Sequence, residues 1–132
     1  MEGMWRILQQ EEPDDYVLAT AVTSSVREFA TMAFEYAGLP LQWQGAGIEE
    51  KGISAKTGRI MVEVDPYYYR PTEVELLMGD PSKAKERLGW EANTRVRRLI
   101  EIMVDHDLEM VGRLVTLRAA GYNVIEQGID YD

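Results

Sequence analysis

The chain contains no cysteine, which excludes disulfides, thiol nucleophiles and zinc sites built on thiolates. Basic residues are also scarce. Fourteen Lys and Arg stand against 23 Asp and Glu, for a net charge of −9, whereas a general nucleic-acid binder needs a basic face to displace phosphate counterions. Arg95, Arg97 and Arg98 form the one local basic cluster. No apolar run approaches the roughly 20 residues that cross a bilayer, and Met1 to Gln10 carries acid early without a signal-peptide cleavage pattern. These absences predict a soluble, cytoplasmic protein that engages neither nucleic acid nor membrane. His106 is the only histidine. Asp105 and Asp107 flank it, but adjacent helical residues point apart, so the trio cannot chelate one ion as it stands; a surface histidine and no metal site are expected. The sole Gly-x-Gly pattern, Gly45-Ala46-Gly47, lacks the third glycine of a dinucleotide-binding turn and opens no strand-turn-helix. No cofactor is expected.

What is present reads as one small α/β or α+β domain over residues 1–132. The length suffices to bury roughly two-thirds of the unfolded surface without staples, and contents of 45% hydrophobic and 28% charged residues are ordinary for a globular chain. Met4, Ile7 and Leu8 at helical spacing predict a short helix over 3–11, ended before Pro13. Tyr16-Val17-Leu18-Ala19 reads as a buried strand. Ser24 or Ser25 caps the next helix, with Glu28 completing a capping box from Ser25. Val26, Phe29, Ala30, Ala33, Phe34 and Ala37 supply its apolar face, and Gly38 with Pro40 stops it. Leu41–Gln44 alternates as a strand, Gly45–Gly58 reads as a loop, and Arg59–Val64 as a second strand closed by Asp65-Pro66. Val74–Met78 reads as a short strand or extended segment. Asp80 caps a helix opening at Pro81 and closing at Gly89, with Trp90 packing back. A long helix follows from about Thr94 to about Ala120, with Val96, Ile100, Met103, Val104, Leu108, Val111, Leu114 and Val115 as its stripe. Tyr122–Ile125 is a candidate terminal strand.

Several stretches then add up to a resemblance. They are Met4-Trp5 with Leu8-Gln9-Gln10, Pro13-Asp14-Asp15-Tyr16-Val17, Ser25-Val26-Arg27-Glu28-Phe29, Lys51-Gly52, Thr57-Gly58, Val62, Val64-Asp65-Pro66 and Arg70-Pro71-Thr72-Glu73-Val74-Glu75. The last continues through Gly79-Asp80-Pro81-Ser82-Lys83-Ala84-Lys85 to Leu88-Gly89-Trp90. In this order they resemble the C-terminal, substrate-binding lobe of the GDP-mannose 4,6-dehydratases, in the extended short-chain dehydrogenase/reductase family. The likeness covers about residues 3–110; 111–132 reads as a divergent helix extension and tail. It implies the fold of that lobe without the NADP-binding Rossmann lobe. The family's Tyr-x-x-x-Lys pair has no counterpart, since no tyrosine here is followed four residues later by lysine. The resemblance therefore implies no catalytic residues and no catalysis by this chain alone. Where the family has Gly-Glu-Thr-His, this chain has Ala21-Val22-Thr23-Ser24. The family's arginine before Tyr-Phe-Arg-Pro is Tyr67, and its phenylalanine is Tyr69.

The resemblance assigns ligand contact to Arg70, whose planar guanidinium can grip two phosphate oxygens at once; the alternative is a surface arginine paired with Glu73 or Asp65. Glu73 either orients Arg70 and meets ribose hydroxyls or is a solvated carboxylate. Arg27 sits at a helix start that favours anions, or else pairs with a carboxylate of its own helix. Tyr67-Tyr68-Tyr69 stacks a base or sugar, Tyr69 foremost, or divides between core and edge of a strand. Two charge-assisted bonds of roughly 1.5–3 kcal/mol each support dissociation constants from millimolar to tens of micromolar. Two kinds of function remain open. One is a non-catalytic, weak GDP-sugar or nucleotide-binding module, including one that completes a split dehydratase with a separate cofactor-lobe partner. The other is a homo-oligomeric interaction protein with an unused ligand site, because losing a neighbouring lobe exposes apolar surface.

Overall fold

The computed structural model describes residues 1–70 and 77–122. Four helices and a three-stranded sheet follow one another as α1 (Glu2–Leu8), α2 (Val26–Tyr36), β1 (Leu41–Gln44), a 3-10 turn (Gly47–Glu49), β2 (Lys51–Ser54), β3 (Ile60–Glu63), α3 (Ser82–Leu88) and α4 (Val96–Ala119). The sheet is an antiparallel meander in the order β1-β2-β3. Trp43 stands opposite Gly52 and Gly52 opposite Val62, with the register slipping between Gly52 and Ile53. This is a mixed α and β architecture.

The helix starting after Ser25 forms as its sequence predicts. Ser25 Oγ accepts from the Glu28 backbone N–H at 3.1 Å, while Glu28 Oε2 accepts from the Ser25 N–H at 2.8 Å. Two orphan donors are thereby satisfied reciprocally. Gly38, at φ +75, carries the chain out of α2. Phe29, Ala30, Ala33, Phe34 and Ala37 are half-buried, but Val26 is 86% exposed. It lies in the first turn, where α2 and α4 are separated by a hollow of about 420 Å³ that Val26, Phe29, Val96 and Leu99 line.

Two small apolar centres hold the described residues together. In one, Ala84 and Leu88 of α3 are buried where α3 packs on α1. Gly3 permits that approach, because a Cβ there would stand 2.7 Å from Leu18 Cδ1 and 3.2 Å from Trp90 Nε1. Arg6 closes the contact. Its Nη1 donates to the Leu88 and Gly89 carbonyls at 2.8 and 2.7 Å, satisfying acceptors that a helix C-terminus leaves open. Lys83 and Arg87 both pair with Asp14, at 2.6 and 3.0 Å. In the other centre, Ile100 of α4 is buried where α4 packs along α2.

Five expectations need correction. Tyr16–Ala19 forms no strand: it is extended, with Val17 and Leu18 exposed. Its β-rich residues instead lie along Gly79, whose Cβ would stand 2.7 Å from Ala19 Cβ. The stretch Gly45–Gly58 is not wholly loop, since it carries the 3-10 turn and β2; Gly52 hid the alternation of β2 by putting no side chain at the position Trp43 covers. The helix after Asp80 begins at Ser82, although Asp80 Oδ1 does accept from the Ser82 N–H at 2.9 Å. The first helix ends at Leu8 and the last begins at Val96. Most of the expected strand Val74–Met78, and the expected terminal strand beyond Tyr122, lie outside the described residues.

Candidate functional site

The predicted site residues are placed by α2, the β1–β2 loop and the segment after β3. Trp43 is the hub. Its Nε1 donates to Thr31 Oγ1 at 2.9 Å, and the Thr31 hydroxyl in turn donates to the Arg27 carbonyl at 2.7 Å. β1 is thus tied to α2 one turn above Arg27. The Arg27 guanidinium reaches back over the Trp43 ring, 5.9 Å from its centroid, and forms an ion pair with Glu50. Glu50 sits at the end of the 3-10 turn, where its N–H donates to the Gly47 carbonyl at 3.2 Å. Tyr69 reaches the same loop: its hydroxyl lies 3.8 Å from the point a Cβ on Gly47 would occupy.

Arg27 and Tyr69 therefore converge on one loop, 42 positions apart in the sequence numbering. Arg27 pairs with Glu50 of the loop, not with a carboxylate of its own helix as the alternative reading had it. Glu50 and Trp43 are the residues sequence reasoning missed; neither spacing nor residue type marks a pair that only the fold brings together.

Arg70 is exposed and makes no hydrogen bond or ion pair with a described residue. Asp65, one of its two suggested partners, instead accepts from the Tyr67 N–H at 2.8 Å. The other, Glu73, lies outside the described residues. Tyr67 and Tyr68 occupy a turn rather than a strand, 86% and 75% exposed, and meet edge-to-face at 4.9 Å.

The Gly45-Ala46-Gly47 turn does not fit a dinucleotide phosphate. It joins two antiparallel strands, not a strand to a helix, and its interior is filled by its own backbone, because a Cβ on Gly45 would collide with the Glu49 carbonyl. No step through NADP is assigned to this chain's residues. Among the described residues no three His, Asp or Glu side chains converge to hold a metal ion, and Asp105, beside His106, accepts from the Tyr36 hydroxyl at 2.8 Å. That bond, with burial, raises the Tyr36 phenol above its ordinary range. No helix among the described residues is long and apolar enough to cross a membrane.

With these positions in place, comparison with known proteins is decisive. The family model described as GDP-mannose 4,6 dehydratase matches residues 1–103. The chain belongs to the GDP-mannose 4,6-dehydratase family. It is 56% identical over 108 residues to a GDP-mannose 4,6-dehydratase of Sinorhizobium fredii, covering 82% of this chain and 31% of that protein. The GDP-mannose 4,6 dehydratase of Dictyostelium discoideum is 45% identical over 111 residues, covering 84% and 31%. A GDP-mannose 4,6-dehydratase of Vibrio cholerae is 41% identical over 130 residues, covering 91% and 35%; that share exceeds the residues before Val111, so this likeness reaches into the second half of α4. The chain spans about a third of the length of the curated relatives it matches and is a homologue of their C-terminal lobe.

Proposed function

We propose that this chain is a sugar-nucleotide-holding lobe of the dehydratase type, which binds a nucleoside-diphosphate sugar weakly through Arg70 and performs no chemistry by itself. The observation that carries this reading is the state of Arg70. It lies in a stretch that resembles the family's substrate-domain segment, exposed and without an ion-pair partner among the described residues, directly after a tyrosine lodged against the β1–β2 loop. The planar guanidinium of arginine can take two phosphate oxygens at once. Arg27 already holds Glu50, so its part is to fix the loop on which Tyr69 rests. Affinity from one bidentate arginine stays in the millimolar to tens-of-micromolar range, and the chain's negative charge opposes approach of an anion. The absence of a Tyr-x-x-x-Lys spacing supports the non-catalytic part of the reading.

Thermal denaturation with GDP-mannose, GDP and unrelated nucleotides tests the proposal. For a dissociation constant of about 0.5 mM, ligand at about 5 mM adds about 1.4 kcal/mol, or about 5 °C for a domain of this length. Arg70→Ala should abolish the shift, and Arg70→Lys should retain part of it. No shift, or an equal shift in Arg70→Ala, rejects the proposal.

The exposed apolar residues of α1, Met4, Trp5 and Leu8, favour a second reading. In it the lobe acts by association, either with a separate cofactor lobe to complete an enzyme or with copies of itself. Sedimentation of the chain alone separates self-association from the rest.

A further inference from the structure

Arg27 has no carboxylate three or four positions away in the chain: Thr23, Ser24, Ala30 and Thr31 hold those places, so helical spacing offers it no ion pair. Its neighbour Glu28 is engaged in the capping box at Ser25. The guanidinium crosses instead to Glu50 while staying over the Trp43 ring. The Glu50 side chain is only 16% exposed, and a pair shielded in this way is screened less than one in open water. What the pair holds is the turn at 45–50. Inside that turn the Glu49 and Glu50 N–H groups donate to the Ala46 and Gly47 carbonyls, both at 3.2 Å, in 3-10 geometry, which is poorer than that of an α-helix. Gly45 and Gly47, at φ +80 and +58, bend the chain on either side of Ala46 and bring backbone freedom with them. Such a turn keeps one shape when something outside it holds it, and among the described residues the Glu50 carboxylate ties it to α2. The Tyr69 hydroxyl meets the turn at Gly47, and Arg70 follows directly in the chain.

We propose that Glu50 is a positioning residue for the arm Tyr69-Arg70: by holding Arg27 it fixes the turn at Gly47, Tyr69 rests on that turn, and the reach of Arg70 is limited accordingly. The inference rests on the reading of Arg70 as the phosphate contact. Glu50 touches no ligand in this arrangement. A carboxylate would repel a diphosphate, so its contribution is to order the arm before the ligand arrives, which lowers the cost of binding. Arg27 contributes its charge to Glu50 and its planar face to Trp43, leaving Arg70 to meet the phosphates.

Titration of the full chain with GDP, followed by melting temperature, tests this, because ligand stabilisation depends on the dissociation constant and not on the starting stability. Glu50→Gln should raise that constant about three- to tenfold, the ordering cost of one side chain left unheld. Arg27→Lys, which keeps the cation without the planar stack, should fall between wild type and Arg27→Ala, and it carries the same comparison where Glu50→Gln folds poorly. Glu50→Gln and Arg27→Ala combined should bind no worse than either alone, since the two act as a pair. In the ligand-free chain, Glu50→Gln should move the nuclear magnetic resonances of the Gly47 amide and the Tyr69 ring and leave the Ile100 methyls in place. An unchanged dissociation constant in Glu50→Gln overturns the proposal. So does a tighter complex, which would make Glu50 a mask over Arg27 as a second phosphate contact. If wild type does not bind GDP, the reading of Arg70 fails and the resonances alone decide: a shifted Tyr69 ring upholds the positioning of the arm, and an unmoved one ends it.

Discussion

Ala21 adopts φ +55, the one positive value among the non-glycine residues described. For an L-residue with a Cβ, this conformation costs roughly 1–2 kcal/mol. The neighbours explain why it persists. The Thr20 hydroxyl spans the turn, donating to the Val22 carbonyl at 3.1 Å and accepting from the Val22 N–H at 3.3 Å, while Arg95 Nη1 grips the Thr20 carbonyl at 2.6 Å. The resemblance to the dehydratases implies a glycine at this position, a residue that takes this conformation without that strain. Ala21→Gly relieves the strain but adds freedom to the unfolded chain worth about 0.4–1 kcal/mol. Because Ala21 is exposed, little packing is lost. The net expectation is stabilisation by about 0.5–1 kcal/mol. Unfolding entropy of about 2.1 cal/mol/K per residue makes that a rise in Tm of about 2–4 °C. Ala21→Asn should fall between the two, and Ala21→Val should lower Tm, since a β-branched residue is least at home there. Calorimetry or circular dichroism melts of the four proteins decide the matter. A lower Tm for Ala21→Gly would refute the reasoning, because it would mean that the backbone at this turn is ordinary.

Ser25→Ala removes the hydroxyl arm of the capping box while leaving the backbone N–H that Glu28 accepts from, and should cost about 1 kcal/mol in chemical denaturation; a loss below a few tenths would show that α2 does not depend on its cap. Gly45→Ala, where φ is +80 and a Cβ collides with the Glu49 carbonyl, should cost well over about 1 kcal/mol and disturb Trp43 fluorescence; a melt like wild type would contradict the turn. Asp14, Glu28 and Asp80 titrate below the ordinary carboxylate range, Asp14 chiefly through the Lys83 hydrogen bond, Glu28 and Asp80 through bonds from Ser25 and Ser82. Their stabilisation is therefore complete above the unfolded carboxylate values and lost as pH falls through the lower folded ones. Tm should be level from pH 7 to about pH 5 and drop below about pH 4; a drop already near pH 6 would point to another group.

Much of the fold was legible where one local signal decided it. Ser25 with Glu28 announced α2, the alternation of Leu41–Gln44 announced β1, and Gly89, at φ +59, marked the end of α3. Tertiary context overrode the rest. Tyr16–Ala19 has strand composition but no ladder partner among the described residues, and Gly52 concealed β2 because its meaning lies in the Trp43 ring above it. Val26 has the right spacing for a core position but lies beyond the reach of α4. At the candidate site, Arg27, Tyr69 and Arg70 are named by resemblance alone. The pairing of Arg27 with Glu50 was not legible, because it joins residues that only the turn between β1 and β2 brings within reach.

The clasp between Arg6 and the carbonyls of Leu88 and Gly89 joins residues 82 and 83 positions apart, whereas every sheet pairing is made within Leu41–Glu63. Short loops close at little entropic cost and long ones late. We therefore expect the hairpins to assemble first and the amino-terminal helix to dock last, and to be the first element released when the domain opens. Pulsed hydrogen exchange would show this order as early protection of Gly52 and Ile53 amides and late protection of Trp5; simultaneous protection would mean that the two ends of the chain find each other as soon as the strands do.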